Sequence, residues 1–92
     1  MPRKRTTEVE PGKPTPEAIF GEVVKEKRTA LGLRQVDLAV EGGISQVQIS
    51  RIEAGQHQAC LKGILQIAEA LEVSCAELMG EWEMRLKSSI LD

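Results

Sequence analysis

Four side chains in the stretch ISQVQISRIEAG, Ile44 to Gly55, have the types and spacing to read the edge of a base pair. At about 100° per residue, Ile49 and Ile52 fall on one side of a short helix, with Glu53 beside them. Gln46, Val47, Ser50 and Arg51 spread over the other side, and Gln48 sits at the boundary. Arginine can pair with a guanine edge and glutamine with adenine, and valine can pack on a thymine methyl. Serine is small and adaptable. A solvated helix face has the same composition, so this face alone leaves both readings open.

Other chemistry is poorly supplied. His57 is the single histidine, and it precedes Cys60 by three residues with no further ligand close by. Cys60 and Cys75 form neither a CxxC nor a Cys/His cluster, so no metal is expected and the thiols read as buried or half-buried. A Ser/His/Asp or Cys/His set cannot be assembled around one histidine, and no phosphate-cradling glycine loop follows a strand. The expectation is a protein that is not an enzyme and takes no cofactor. A small-molecule ligand is not indicated.

The elements that must position these residues are helical. The 92 residues suit one domain and a tail. Residues 1–16, MPRKRTTEVEPGKPTP, hold all four prolines and four basic side chains against two acidic ones. They cannot nucleate a core and read as a disordered arm. In that arm Arg3, Lys4 and Arg5 are either phosphate contacts or a solvated tail. The remaining residues hold eight basic against twelve acidic side chains, which argues against an indiscriminate nucleic-acid binder but permits a localised basic face. No apolar run reaches the ~18 residues of a membrane span, and no apolar stretch follows the basic N-terminus. A cytoplasmic protein is the default expectation.

Thr15-Pro16-Glu17 starts a first helix, with Phe20, Val23, Val24, Lys27 and Leu31 at helical spacing and Gly32 ending it. A second runs from about Gln35 to Glu41, burying Val36, Leu38 and Ala39, with Arg34 where a small polar cap is expected. Gly42-Gly43 make a turn. Ser45 and Gln48 offer a capping box for the third helix, which Gly55 closes. A fourth runs from about Leu61 to Leu71, with Leu61, Ile64, Leu65, Ala68 and Leu71 on one face. A fifth starts at Ser74 with Glu77 and carries Leu78, Met79, Trp82 and Leu86 to about residue 88. The chain is all-α: a five-helix bundle over 17–92 preceded by the arm.

Two short helices joined by Gly42-Gly43-Ile44-Ser45 have the helix-turn-helix pattern. The run LGLRQVDLAVEGGISQVQISRIEAG, followed by LKGILQIAEALEVSCAEL, resembles the lambda-repressor/Cro-like helix-turn-helix family over roughly residues 20 to 79. The resemblance implies a bundle of the lambda-repressor-like DNA-binding type. It implies that Gln46, Val47 and Arg51 face bases, with Ser50 beside them, and that Gln35 touches a phosphate. It also implies an internal ion pair between Arg28 and Glu53. Arg34, Gln48, His57 and Lys62 are the further phosphate candidates. Gln56, His57 and Gln58 stand where relatives are often basic, and Ala59-Cys60 replaces the common Pro-Ser.

The fifth helix is long for a cap on the domain. Leu78, Met79, Trp82 and Leu86 are expected to join a symmetric dimer, and the alternative is that they fold back on their own core. The leading expectation is a dimeric, sequence-specific regulator of double-stranded DNA, bacterial or phage-encoded and nucleoid-associated when bound. It is a repressor or a controller-type autoregulator on a near-palindromic operator, with helix 45–54 in the major groove. The competing expectation is a protein-interaction or antitoxin-like module on the same fold, motivated by the acidic balance.

Overall fold

Four of the five helices begin on the side chain of their N-cap residue. Thr15 Oγ1 accepts from the Ala18 N–H at 3.0 Å and opens α1, Pro16–Ala30. Arg34 precedes α2, Gln35–Gly42, and cannot cap with its own side chain; its backbone N–H instead donates to Asp37 Oδ2 at 2.8 Å. Ser45 Oγ accepts from the Gln48 N–H at 3.1 Å and opens α3, Gln46–Glu53. Cys60 does the same for α4, Leu61–Ala70, with sulfur in place of a hydroxyl and a bond of 3.4 Å to the Gly63 N–H. Ser74 Oγ accepts from the Glu77 N–H at 3.0 Å and opens α5, Cys75–Leu91. Only the serine half of the expected capping boxes at Ser45 and Ser74 forms.

This architecture belongs to a computed structural model that describes residues 14–91, with side chains to Ser89. Arg3, Lys4 and Arg5 lie outside the described residues, as does the expected arm up to residue 13; its last two residues, Thr15 and Pro16, cap and open α1 instead. Among the described residues there is no strand, and no helix is long and apolar enough to cross a membrane.

The first four helices end alike. An N–H just past each cap reaches back to the carbonyl five residues earlier: Leu33 to Arg28, Ile44 to Ala39, Gln56 to Arg51 and Val73 to Ala68. This closure needs one residue in the left-handed region. Gly32, Gly43 and Gly55 supply it at three ends, and Glu72 supplies it at the fourth with φ 62°. A side chain there strains against its own carbonyl. Glu72→Gly is therefore expected to stabilise the fold by about 0.5–1 kcal/mol after glycine's larger unfolded-state entropy is subtracted. A thermal melt that shows a lower midpoint would contradict this.

The core joins Phe20, Val23 and Val24 of α1 to Leu38 and Ala39 of α2. Ile49 and Ile52 of α3, Ile67, Ala68, Ala70 and Leu71 of α4, and Leu78 of α5 complete it. Helix α1 packs on α3 and α5, and α4 packs on α2 and α5. Two apolar assignments are corrected. Leu31 is exposed past the end of α1. In α4 the inward face is Ile64, Ile67, Ala68 and Leu71, while Leu61 is 87% and Leu65 49% exposed. That helix has a wider apolar arc than its packing partners cover.

Candidate nucleic-acid interface

The turn between α2 and α3 is Gly43 to Ser45, because Gly42 is the last residue of α2. Helix α3 is held from its inner side. Ile49 and Ile52 are buried, and two backbone approaches fix its C-terminal end against α1. A Cβ on Gly21 would fall on the Ile52 carbonyl oxygen and 2.8 Å from that of Glu53. Gly55, at φ +75°, lies so close to α1 that a Cβ there would stand 2.9 Å from Ala18 Cα. Only hydrogen fits in these gaps.

The same end is fixed electrostatically. Arg28 Nε donates to Glu53 Oε2 at 2.6 Å and Arg28 Nη2 to Glu53 Oε1 at 3.0 Å, a bidentate pair. Arg28 Nη1 donates to the Leu33 carbonyl at 2.7 Å, which ties in the turn between α1 and α2. Gln35 Nε2 donates to Glu53 Oε1 at 3.0 Å, which ties in the start of α2. The Glu53 carboxylate is 3% exposed. It holds the Arg28 guanidinium above the ordinary arginine pKa, mainly by these hydrogen bonds and against the opposing effect of burial. One carboxylate thus locks three elements around α3.

The opposite side of α3 is open. Gln46, Val47, Gln48, Ser50 and Arg51 are all exposed, with Val47 at 59%. Arg51 has no carboxylate within ion-pair range among the described residues. The Gln48 side chain is not drawn back to the cap, so its amide is available.

The other assigned residues divide. His57 and Lys62 are exposed. Arg34 is exposed but is not a free cation. Its Nε and Nη2 donate to the two Asp37 carboxylate oxygens at 3.1 and 3.0 Å. Those bonds hold the Asp37 carboxyl below its ordinary value. Nothing in Arg34's own spacing betrayed this; the signal was an acid three residues on. Gln35 spends one amide N–H on Glu53, which leaves the second.

The dimerisation stripe expected on α5 is corrected at Leu78. Leu78 is fully buried in the core of its own chain, and Met79 and Trp82 pack against that core. Trp82 Nε1 donates to the Pro16 carbonyl at 3.0 Å, and Leu86 is half-buried. A network that sequence spacing within one helix could not show fixes α5 on α1. Arg85 bonds Glu26 at 2.7 Å and Glu81 at 2.6 Å, and Lys27 pairs with Glu81 at 3.0 Å. Arg85 lowers the Glu26 pKa, and Lys27 first, then Arg85, lowers that of Glu81. Four of the chain's charges are thereby spent internally.

Comparison with known proteins places this arrangement. A family model described as helix-turn-helix matches residues 24–78, more than half of the chain. The chain belongs to the lambda-repressor/Cro-like helix-turn-helix family. It is 34% identical over 61 residues to the cryptic phage CTXphi transcriptional repressor RstR of Vibrio cholerae, a match covering 66% of this chain and 54% of that protein. The chain thus spans about half the length of that curated relative. The crystal structure of the restriction-modification controller protein C.AhdI from Aeromonas hydrophila superposes with a TM-score of 0.66 at 37% identity, over 67% of this chain and 94% of that one. The controller protein C.Esp1396I, solved as a tetramer with its natural 35 base-pair operator, gives 0.70 at 26% identity, over 84% and 96%. In this family frame α2 and α3 are the helix-turn-helix pair. The lock on Glu53 and the glycine contacts at Gly21 and Gly55 are what set the second of them on α1.

Proposed function

We propose that this chain is a sequence-specific, double-stranded-DNA-binding transcriptional regulator that places α3 in the major groove. The observation that carries the proposal is the division of α3. Its inner face is buried and locked at both backbone and side-chain level, while Gln46, Val47, Ser50 and Arg51 stand free and uncompensated. A helix held this firmly with a polar outer face can present base-reading groups without reorganising them. Arg51 suits a guanine edge, Gln46 an adenine edge and Val47 a thymine methyl, with Ser50 adapting between them.

The backbone contacts fall to Gln48, His57 and the second amide N–H of Gln35. Arg34 contributes by exchanging Asp37 for a phosphate, an exchange of exposed partners that costs little. With few free cations, binding depends only weakly on salt compared with basic relatives, and discrimination rests on α3. Binding as a dimer on a near-palindromic operator, with occlusion of a promoter as the simplest effect, fits the repressor and controllers it resembles. The protein works where DNA is, in the cytoplasm, and no step calls on catalysis. Selection from a random duplex pool at low salt tests the reading: a two-fold-related motif is expected to enrich, and a pool that stays random would overturn it.

A further inference from the structure

We propose that a small aromatic ammonium, one ring carrying one amine, binds in a cavity between the start of α1, the turn after α3, and helices α4 and α5. The cavity measures about 140 Å³. Its walls are mainly apolar: Phe20 from α1, Ile64 from α4, and Met79 and Trp82 from α5. The core beneath is complete without it, and Ile64, Met79 and Trp82 pack on that core from outside. The sequence gives no sign of the site, because its walls come from four separate segments.

Size and lining select the ring. An apolar cavity of about this volume takes a single six-membered aromatic ring, whereas a water held there needs two or more polar partners. The indole offers none. Trp82 Nε1 already donates to the Pro16 carbonyl at 3.0 Å, which leaves carbon surface for the cavity.

Charge selects the amine. No lysine or arginine lines the cavity, so a carboxylate or phosphate on the ligand would find no cation there. Glu17 does line it, half-buried in the first turn of α1. Its carboxylate has no ion partner among the described residues. Aromatic rings attract a cation through their negative faces, and a thioether is polarizable. A net charge of −2 on the chain favours the same sign of ligand.

This site is separate from the base-reading set, since no α3 residue lines it. His57 is the lining residue that also belongs to the proposed DNA face, so an occupied cavity lies next to a backbone contact.

Trp82 is the chain's one tryptophan, and its fluorescence therefore reports the cavity directly. The full chain is titrated with benzylamine, with benzyl alcohol as the uncharged analogue and benzoate as the anionic one. Benzylamine is expected to give a saturable change with a dissociation constant of ~1 mM or tighter. Benzyl alcohol should bind about fivefold or more weakly, and benzoate should give no saturable change. Glu17→Gln should remove the advantage of the amine over the alcohol and leave the alcohol's own binding unaltered. Ala59→Leu, which puts a larger side chain into the cavity wall, should abolish binding of both, with helix content by far-UV circular dichroism unchanged. No saturation by benzylamine at about 10 mM, benzoate binding as tightly as the amine, or an amine preference that survives Glu17→Gln would each overturn the site. So would unaltered binding in a folded Ala59→Leu. The titration uses no DNA, so its failure leaves the DNA-binding reading standing. A chain that binds benzylamine but enriches no DNA motif keeps this site and loses that reading.

Discussion

Arg28→Ala is expected to lower the unfolding free energy by about 3–5 kcal/mol, the usual cost of stranding one member of a buried ion pair. The cause is less the lost attraction than what remains. The Glu53 side chain is left at 3% exposure with Gln35 as its only other side-chain donor among the described residues, and the Leu33 carbonyl loses its donor as well. A domain of this size has about 5–15 kcal/mol in total, so the variant should sit near the edge of folding at room temperature. Replacing both partners, as Arg28→Met with Glu53→Leu, removes the buried charge and should recover a large part of the loss. Urea denaturation followed by circular dichroism measures both. A single-variant cost below about 1 kcal/mol would mean that the pair is solvated and worth only what surface pairs are worth.

Gly21→Ala is expected to destabilise, and Gly80→Ala to stabilise. Both glycines lie inside helices, where alanine gains about 0.5–1 kcal/mol from propensity and backbone entropy. At Gly80 nothing stands within 4 Å of the added carbon, so that gain is realised. At Gly21 the added carbon meets the Ile52 and Glu53 carbonyls, which are backbone and cannot rotate away. Helix α1 must then lift off α3, and overpacking of this kind costs about 1–3 kcal/mol, occasionally more, beyond the propensity gain. The displacement also moves α3 relative to α2, so DNA affinity should fall even where Gly21→Ala remains folded. Paired denaturation curves check the signs; a stabilised Gly21→Ala would show that the two helices are not in backbone contact.

Most of this arrangement was legible in the sequence because it follows from local rules. Caps at Thr15, Ser45 and Ser74 and glycines at 32, 43 and 55 mark helix ends by chemistry that acts within a few residues. The split of α3 into Ile49 and Ile52 against Gln46, Val47, Ser50 and Arg51 follows from its 3.6-residue period. Periodicity misled in α4 and α5, because it identifies an apolar arc without saying what covers it. Leu61 and Leu65 share an arc with the core residues yet face out, and Leu78 and Trp82 continue a stripe that faces in. Contacts between distant elements left weaker traces. Gly21 is visible only as an isolated glycine in a helical pattern, which does not name the backbone it packs against. The Arg85 bridge to Glu26 joins positions 59 residues apart and has no sequence signature of its own.

The sharpest measurement is the same duplex selection run with Arg51→Ala beside the wild type. If α3 reads bases from the major groove, wild type enriches a two-fold-related motif, and Arg51→Ala relaxes one position in each half-site at a cost of ~1–3 kcal/mol while the other positions stay selected. Weakening that is uniform across all sequences would make Arg51 a phosphate contact, and no enriched motif for the wild type would contradict DNA reading by this helix altogether.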